Sequence, residues 1–187
     1  SLVNPAPRTL SRPNGLAFHA GTNELYAVDS GGHQVLVFTE SAPNTWTLAR
    51  AWGLEGSHPS EFESPQAIAL DPNSTPNLVF VTDPDNFRVQ VFNTAGISQG
   101  QFGYRIIYTP STETAWFARS EGLAVDSHSN IFVTDSLMGT VRAFAFDGTA
   151  WKEMDPDNEP VIGYGTTPGK LRVPCDVMAG MAPGPKL

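Results

Sequence analysis

Three short apolar segments recur along this chain, in the same order and at nearly the same spacing. Gly15-Leu16-Ala17-Phe18-His19 returns as Ala67-Ile68-Ala69-Leu70-Asp71 and as Gly122-Leu123-Ala124-Val125-Asp126, and the pattern begins again at Asp176-Val177-Met178-Ala179. About ten residues after each start comes a second segment that ends on Asp: Leu25 to Asp29, Val79 to Asp83 and Ile131 to Asp135. A third ends on Phe: Gln34 to Phe38, Arg88 to Phe92 and Thr140 to Phe144. The aspartates lie 54 and 52 residues apart, and so do the phenylalanines. A fixed period of this size signals a repeat architecture, in which each unit is one small supersecondary element that must bury its apolar surface against its neighbours.

Each unit reads as four strands. A less regular fourth segment ends at Trp52-Gly53, at Phe102-Gly103 and, in the third unit, at Tyr164-Gly165. Pro13, Pro65 and Pro174 precede units, and Arg119-Ser120 takes that place before the third. The first two segments of a unit are almost continuously apolar, as expected of a sheet covered on both faces. Sheets must therefore stack on sheets. The small residue that starts each inner strand lets backbones crowd together where a larger side chain would have little room. Composition agrees: 17 Gly and 16 Pro with only 16% charged residues supply many turns and little charged helical surface. The expected fold class is all-β, a partial β-propeller of four-stranded antiparallel blades.

The second unit carries a specific pattern, from Phe62 and Pro65 through Ala67-Ile68-Ala69-Leu70-Asp71, Val81-Thr82-Asp83, Asn86 and Arg88-Val89-Gln90-Val91-Phe92 to Gly96 and Phe102-Gly103. In this it resembles the NHL-repeat β-propellers. Units one and three keep the apolar skeleton but carry Gln34 and Thr140 where the second has Arg88. The expected organisation is a lead-in over 1–10, blades over 11–53, 54–103 and 104–165, the last with an enlarged link, and the start of a fourth blade over 166–187. A propeller closes with about four to eight blades. The expectation is therefore a fragment of a longer propeller, or copies that join into a ring, because an open arc leaves apolar blade faces bare.

Charge and cysteine content narrow the partners. Eleven basic against nineteen acidic residues give a net charge of −8, with no Lys before Lys152, so nucleic acid is not an expected partner, although some animal relatives of the repeat bind RNA through basic surfaces. The single cysteine, Cys175, rules out an internal disulfide framework and multi-cysteine zinc patterns. No stretch has the roughly 18 apolar residues of a membrane span, so no membrane insertion is expected. An acidic, Lys-poor repeat chain favours an extracytoplasmic place, whether secreted, periplasmic or at the cell surface.

Candidate sites follow from the same frame. Asp29, Asp83 and Asp135 each precede a turn and are expected to accept backbone N–H bonds within it, as are Asp71 and Asp126. The lead-in position of the inner strands, at the mouth of the central channel, reads Asn14, Gln66, Glu121 and Cys175. The resemblance implies that calcium-dependent lactonase-like propellers use oxygen ligands near such positions, but one carboxylate, two amides and a thiol make a mixed set, and no metal or other cofactor is assigned. The peptide-amidating lyases, which also resemble the family, use histidines on a central zinc. Here His19, His33, His58 and His128 fall in separate turns with no metal-ligand spacing and are expected to be solvated. Asn73-Ser74-Thr75 matches a glycosylation acceptor, with Pro76 after it.

The enlarged link is the feature that points to binding. Ile106, Ile107, Tyr108, Trp116 and Phe117 should neighbour Leu137 and Met138, since links between blades emerge beside the turn joining second and third strands. Such residues are enriched in interface cores. Either they dock a protein partner, or the link folds back on the channel or on the second blade. The functional expectation is a non-catalytic protein-interaction scaffold. The alternative is a metal-dependent hydrolase or lyase with its site at the channel mouth.

Overall fold

The structure, a computed structural model, describes residues 9–71, 73–103, 117–154, 161–163, 171 and 174–177. Among them are three four-stranded antiparallel sheets, each a meander in chain order. The first contains β1 (Pro13–His19), β2 (Glu24–Asp29), β3 (Gln34–Ala42) and β4 (Thr45–Trp52). The second contains β5 (Ile68–Asp71), β6 (Leu78–Asp83), β7 (Arg88–Asn93) and β8 (Ser98–Phe102), and the third β9 (Ser120–Val125), β10 (Ile131–Asp135), β11 (Thr140–Phe146) and β12 (Trp151–Glu153). The fold is all-β, and these sheets are the blades of a propeller-type arrangement. Inner strand β1 lies beside β5, and β5 beside β9.

Alternation along each strand sends side chains to two different neighbours. In the first blade Tyr26, Val28, Val35, Val37 and Trp52 face forward, onto Phe62, Ile68, Val79, Val81 and Phe92 of the second. The second blade turns Phe80, Val89, Val91 and Phe102 forward onto Phe117, Leu123, Ile131, Val133 and Phe144 of the third. One layer is thus repeated one blade further on. A fully buried Val or Phe contributes about 1.5–3 kcal/mol by leaving water, so the inter-blade layers dominate stability and a blade on its own would lose them.

Glycine at the inner strand does what the sequence required. A Cβ on Gly15 would lie 2.7 Å from the carbonyl oxygen of Gln66, and one on Gly122 would lie 2.6 Å from Cα of Asp176. Both obstacles are backbone, so neighbouring inner strands approach closely only because the side chain is missing. The outer end of the third blade departs from the expectation. Trp52 pairs with Val35 and Phe102 with Val89, but the residue opposite Val141 is Ile162. Gly163, rather than Gly165, therefore follows the position held by Gly53 and Gly103. Register is set by the buried stripe of the third strand.

Candidate functional site

The strand-end aspartates do more than cap their own turns. Asp29, Asp83 and Asp135 are fully buried. Asp29 accepts backbone N–H bonds from Ser11 at 3.0 Å and from Arg12 at 2.6 Å, Asp83 from Glu63 at 2.7 Å, and Asp135 from Ala118 at 2.5 Å and Arg119 at 3.1 Å. Each carboxylate therefore pins the segment leading into its own blade, 16 to 20 residues upstream. Asp135 also accepts backbone bonds from its own turn as expected, from Leu137 at 3.1 Å and Met138 at 2.9 Å. At Asp29 burial raises the pKa, but bonds from Gln34, Arg12, Ser11 and Gly32 outweigh it and hold the carboxyl below its ordinary value. At Asp83 burial wins and pushes the carboxyl up, against bonds from Glu63, Asn86 and Arg88.

Arg88 explains why the second unit carries the fullest pattern. Its Nε donates to Asp83 at 2.8 Å, Nη1 to the Ser57 carbonyl at 2.8 Å, and Nη2 to the carbonyls of His58 at 3.0 Å and Glu61 at 2.8 Å. One guanidinium thus ties the link to the blade. In the first blade Gln34 reaches Asp29, at 3.0 Å, and the Thr9 carbonyl, at 3.5 Å.

At the channel mouth the structure brings two of the four candidates together. The Asn14 amide donates to Gln66 Oε1 and, at 3.1 Å, to Ser30 Oγ. Glu121 turns to Arg119, with Oε1 at 2.7 Å from Nε. Cys175 is exposed. The Gln66 oxygen and the Glu121 carboxylate, the two strongest donors of the set, already hold protein partners. Among the described residues no group of three or more His, Cys, Asp or Glu converges as a metal site would require.

The binding candidates divide differently. Leu137 is 72% exposed and Met138 40%, on the turn between β10 and β11. Asp135 holds this turn with one oxygen and Ala118 and Arg119, at the end of the link, with the other. Phe117 is corrected: it is fully buried, with its ring 5.6 Å from Phe144 and 6.5 Å from Phe102, and belongs to the inter-blade layer. Ile106, Ile107, Tyr108 and Trp116 lie outside the described residues.

Two of the histidines also differ from expectation, whereas His58 and His128 stand in solvent. His19 is buried, with Nε2 at 2.7 Å from Asn77 Nδ2 in the second blade, and His33 places Nδ1 at 3.1 Å from the Phe62 carbonyl. Both are inter-blade contacts, visible only once the blades are stacked. A sequence signal was missed as well. Leu10, Phe62, Phe117 and Leu171 each stand five residues before the start position of an inner strand, at Gly15, Ala67, Gly122 and Asp176. Phe62 and Phe117 are fully buried wedges on the back faces of blades two and three, whereas Leu10 is 44% exposed. Beside Leu10 on the back face of the first blade, Leu16 is 64% and Phe18 53% exposed, although their counterparts in the second blade, Ile68 and Leu70, pack into the core.

No protein-family model and no curated protein matches the chain. Solved structures do. A protein from Lactobacillus plantarum aligns with a TM-score of 0.58 at 17% identity, over 76% of this chain and 41% of that one. The nidogen component of a nidogen/laminin complex aligns at 0.53 and 19%, over 81% and 49%. A catalytically inactive virginiamycin B lyase from Staphylococcus aureus, solved with quinupristin, aligns at 0.52 and 12%, over 85% and 45%. The chain spans less than half the length of each of these. At such identities the likeness is one of fold, and it agrees with the three stacked sheets: this chain has the architecture of a β-propeller segment.

Proposed function

We propose that the chain is a non-catalytic, NHL-like propeller segment that presents a rigid loop face to a protein partner. The observation that carries this reading is the β10–β11 turn, where two large apolar side chains, Leu137 and Met138, stand in solvent on a backbone clamped by a buried carboxylate. An exposed apolar pair on a fixed turn loses little conformational entropy on docking, which favours recognition. The end of the enlarged link, at Ala118 and Arg119, is bonded to the same aspartate. Polar groups at the channel mouth already engaged with Asn14 and Arg119 leave the hydrolase or lyase reading with less support.

The bare back face of the first blade belongs to the same proposal. The corresponding faces of blades two and three are covered by the blade before them, so a further blade, from the remainder of its own propeller or from another copy, is the matching partner. The blade limits at 11–53, 54–103 and 104–165 remain part of the proposal.

The test is a double substitution, Leu137→Asp with Met138→Asp, assayed by quantitative capture of binding proteins alongside thermal unfolding. Partner recovery should fall while the unfolding midpoint stays within about 2 °C, since both side chains are exposed. Unchanged recovery of every captured protein would remove the proposed face.

A further inference from the structure

The two inter-blade seams differ at one position on the outer rim. Arg50 pairs with Val37 in the first blade, and its repeat counterpart Gly100 pairs with Val91 in the second. The register on either side is the same: β4 and β8 each carry one extra residue there, Ala49 and Gln99, which makes a bulge. In the first seam the Arg50 side chain fills the space. Its Nε donates to the Thr94 carbonyl of the second blade at 2.9 Å, and its Nη2 to Glu24 and Tyr26 at 2.8 Å each. In the second seam there is no side chain at Gly100 (φ +139°), and a Cβ built there would meet nothing within 4 Å.

The space left is a cavity of about 200 Å³. Gln99, Gly100 and Gln101 form one wall, and Phe146, Thr149 and Trp151 form the other. Phe146 is 53% exposed and lies 5.3 Å from the Trp151 ring, with the planes inclined at 44°. Trp151 is itself held edge-on by Phe80 at 5.1 Å and backed by Phe102 at 5.8 Å. The aromatic wall is thus rigid and partly open to solvent.

We propose that this cavity between the second and third blades binds the ring of a neutral sugar. Among the described residues no charged side chain lines it, so a charged ligand would lose hydration without compensation. The polar lining is the Gln99 amide, whose nitrogen donates to the Ile97 and Ser98 carbonyls, and the Thr149 hydroxyl, which donates to Asp147, so both turn acceptor oxygens to a ligand. A pyranose has one apolar face, which suits the Phe146 and Trp151 wall, and a rim of hydroxyls that can donate to the oxygens of Gln99 and Thr149. A proline ring would match the aromatic wall but offers only carbonyl acceptors, leaving the acceptor atoms of Gln99 and Thr149 unused. The volume fits one ring and falls below the roughly 300–1,000 Å³ of pockets for drug-sized ligands. This site is independent of the Leu137–Met138 face.

The test is a ligand-observed NMR titration of the whole chain with glucose, galactose, mannose and N-acetylglucosamine, repeated on Phe146→Ala and Gln99→Ala. At least one sugar should bind saturably, and each substitution should weaken that binding by about tenfold or more. Gln99 is exposed on a bulge, so its replacement reads the site even if Phe146→Ala disturbs packing around Trp151. Absence of saturable binding by all four sugars at millimolar concentration would overturn the proposal. So would sugar binding that both variants retain, or binding of a proline-rich peptide in place of any sugar.

Discussion

Replacing Phe62 by Ala tests the stacking of blades more directly than any change within a sheet. Phe62 comes from a link, not a strand, yet it is fully buried with its ring 5.8 Å from Phe92. It also presses on Gly53, where a Cβ would come within 2.7 Å of its ring. The ring is thus wedged between Phe92 of its own blade and Gly53 at the end of the first. Truncation to Ala removes the whole ring from a closely packed layer, and the backbone on both sides is fixed, so the cavity cannot easily collapse. The expected loss is about 3–5 kcal/mol. Leu10, at the same place in the repeat, has no blade behind it among the described residues and keeps 44% of its surface in solvent. Leu10→Ala should therefore cost about 1 kcal/mol or less. Urea unfolding followed by far-ultraviolet circular dichroism gives both values by linear extrapolation. A Phe62→Ala loss under about 1 kcal/mol, or equal losses for the two variants, would refute blade-on-blade packing as the source of stability.

Two further outcomes follow from local geometry. Glu24 is held from an ordinary 4.5 down to about 2, first by its bond to Arg50 and then by bonds to Tyr26 and Thr22, against the opposing effect of burial. Because the folded pKa is depressed, the stabilisation, about 3 kcal/mol at most, is complete above the unfolded value and is lost as pH falls from about 4.5 towards 2. Glu24→Gln should flatten that part of a stability-against-pH curve, and an unchanged slope would contradict the pairing. Gly122→Ala should cost about 1–3 kcal/mol, because its Cβ would meet the backbone at Asp176; an unaffected melting temperature would mean that the inner strands do not crowd as described.

Much of the architecture was legible because a repeat imposes its own consistency. Nearly continuous apolar runs in segments such as Leu25 to Asp29, together with glycine at Gly15 and Gly122, point to sheets stacked on sheets about crowded inner strands. Phe117 was not legible as core, because an aromatic residue in a link reads the same whether it faces water or a wedge between blades. The difference lies in a five-residue offset that Phe117 shares with Leu10, Phe62 and Leu171.

The amino-acid sequence by itself determined the unit: four short strands, a buried Asp, a Phe at the end of the third strand, and a small residue where backbones meet. Tertiary structure alone decided what stands across each seam. His19 reaching Asn77, Arg50 closing one rim and Gly100 opening the next depend on distances between residues about fifty positions apart. Strand pattern is encoded by neighbours along the chain, whereas a seam is fixed only when two faces come to rest against each other.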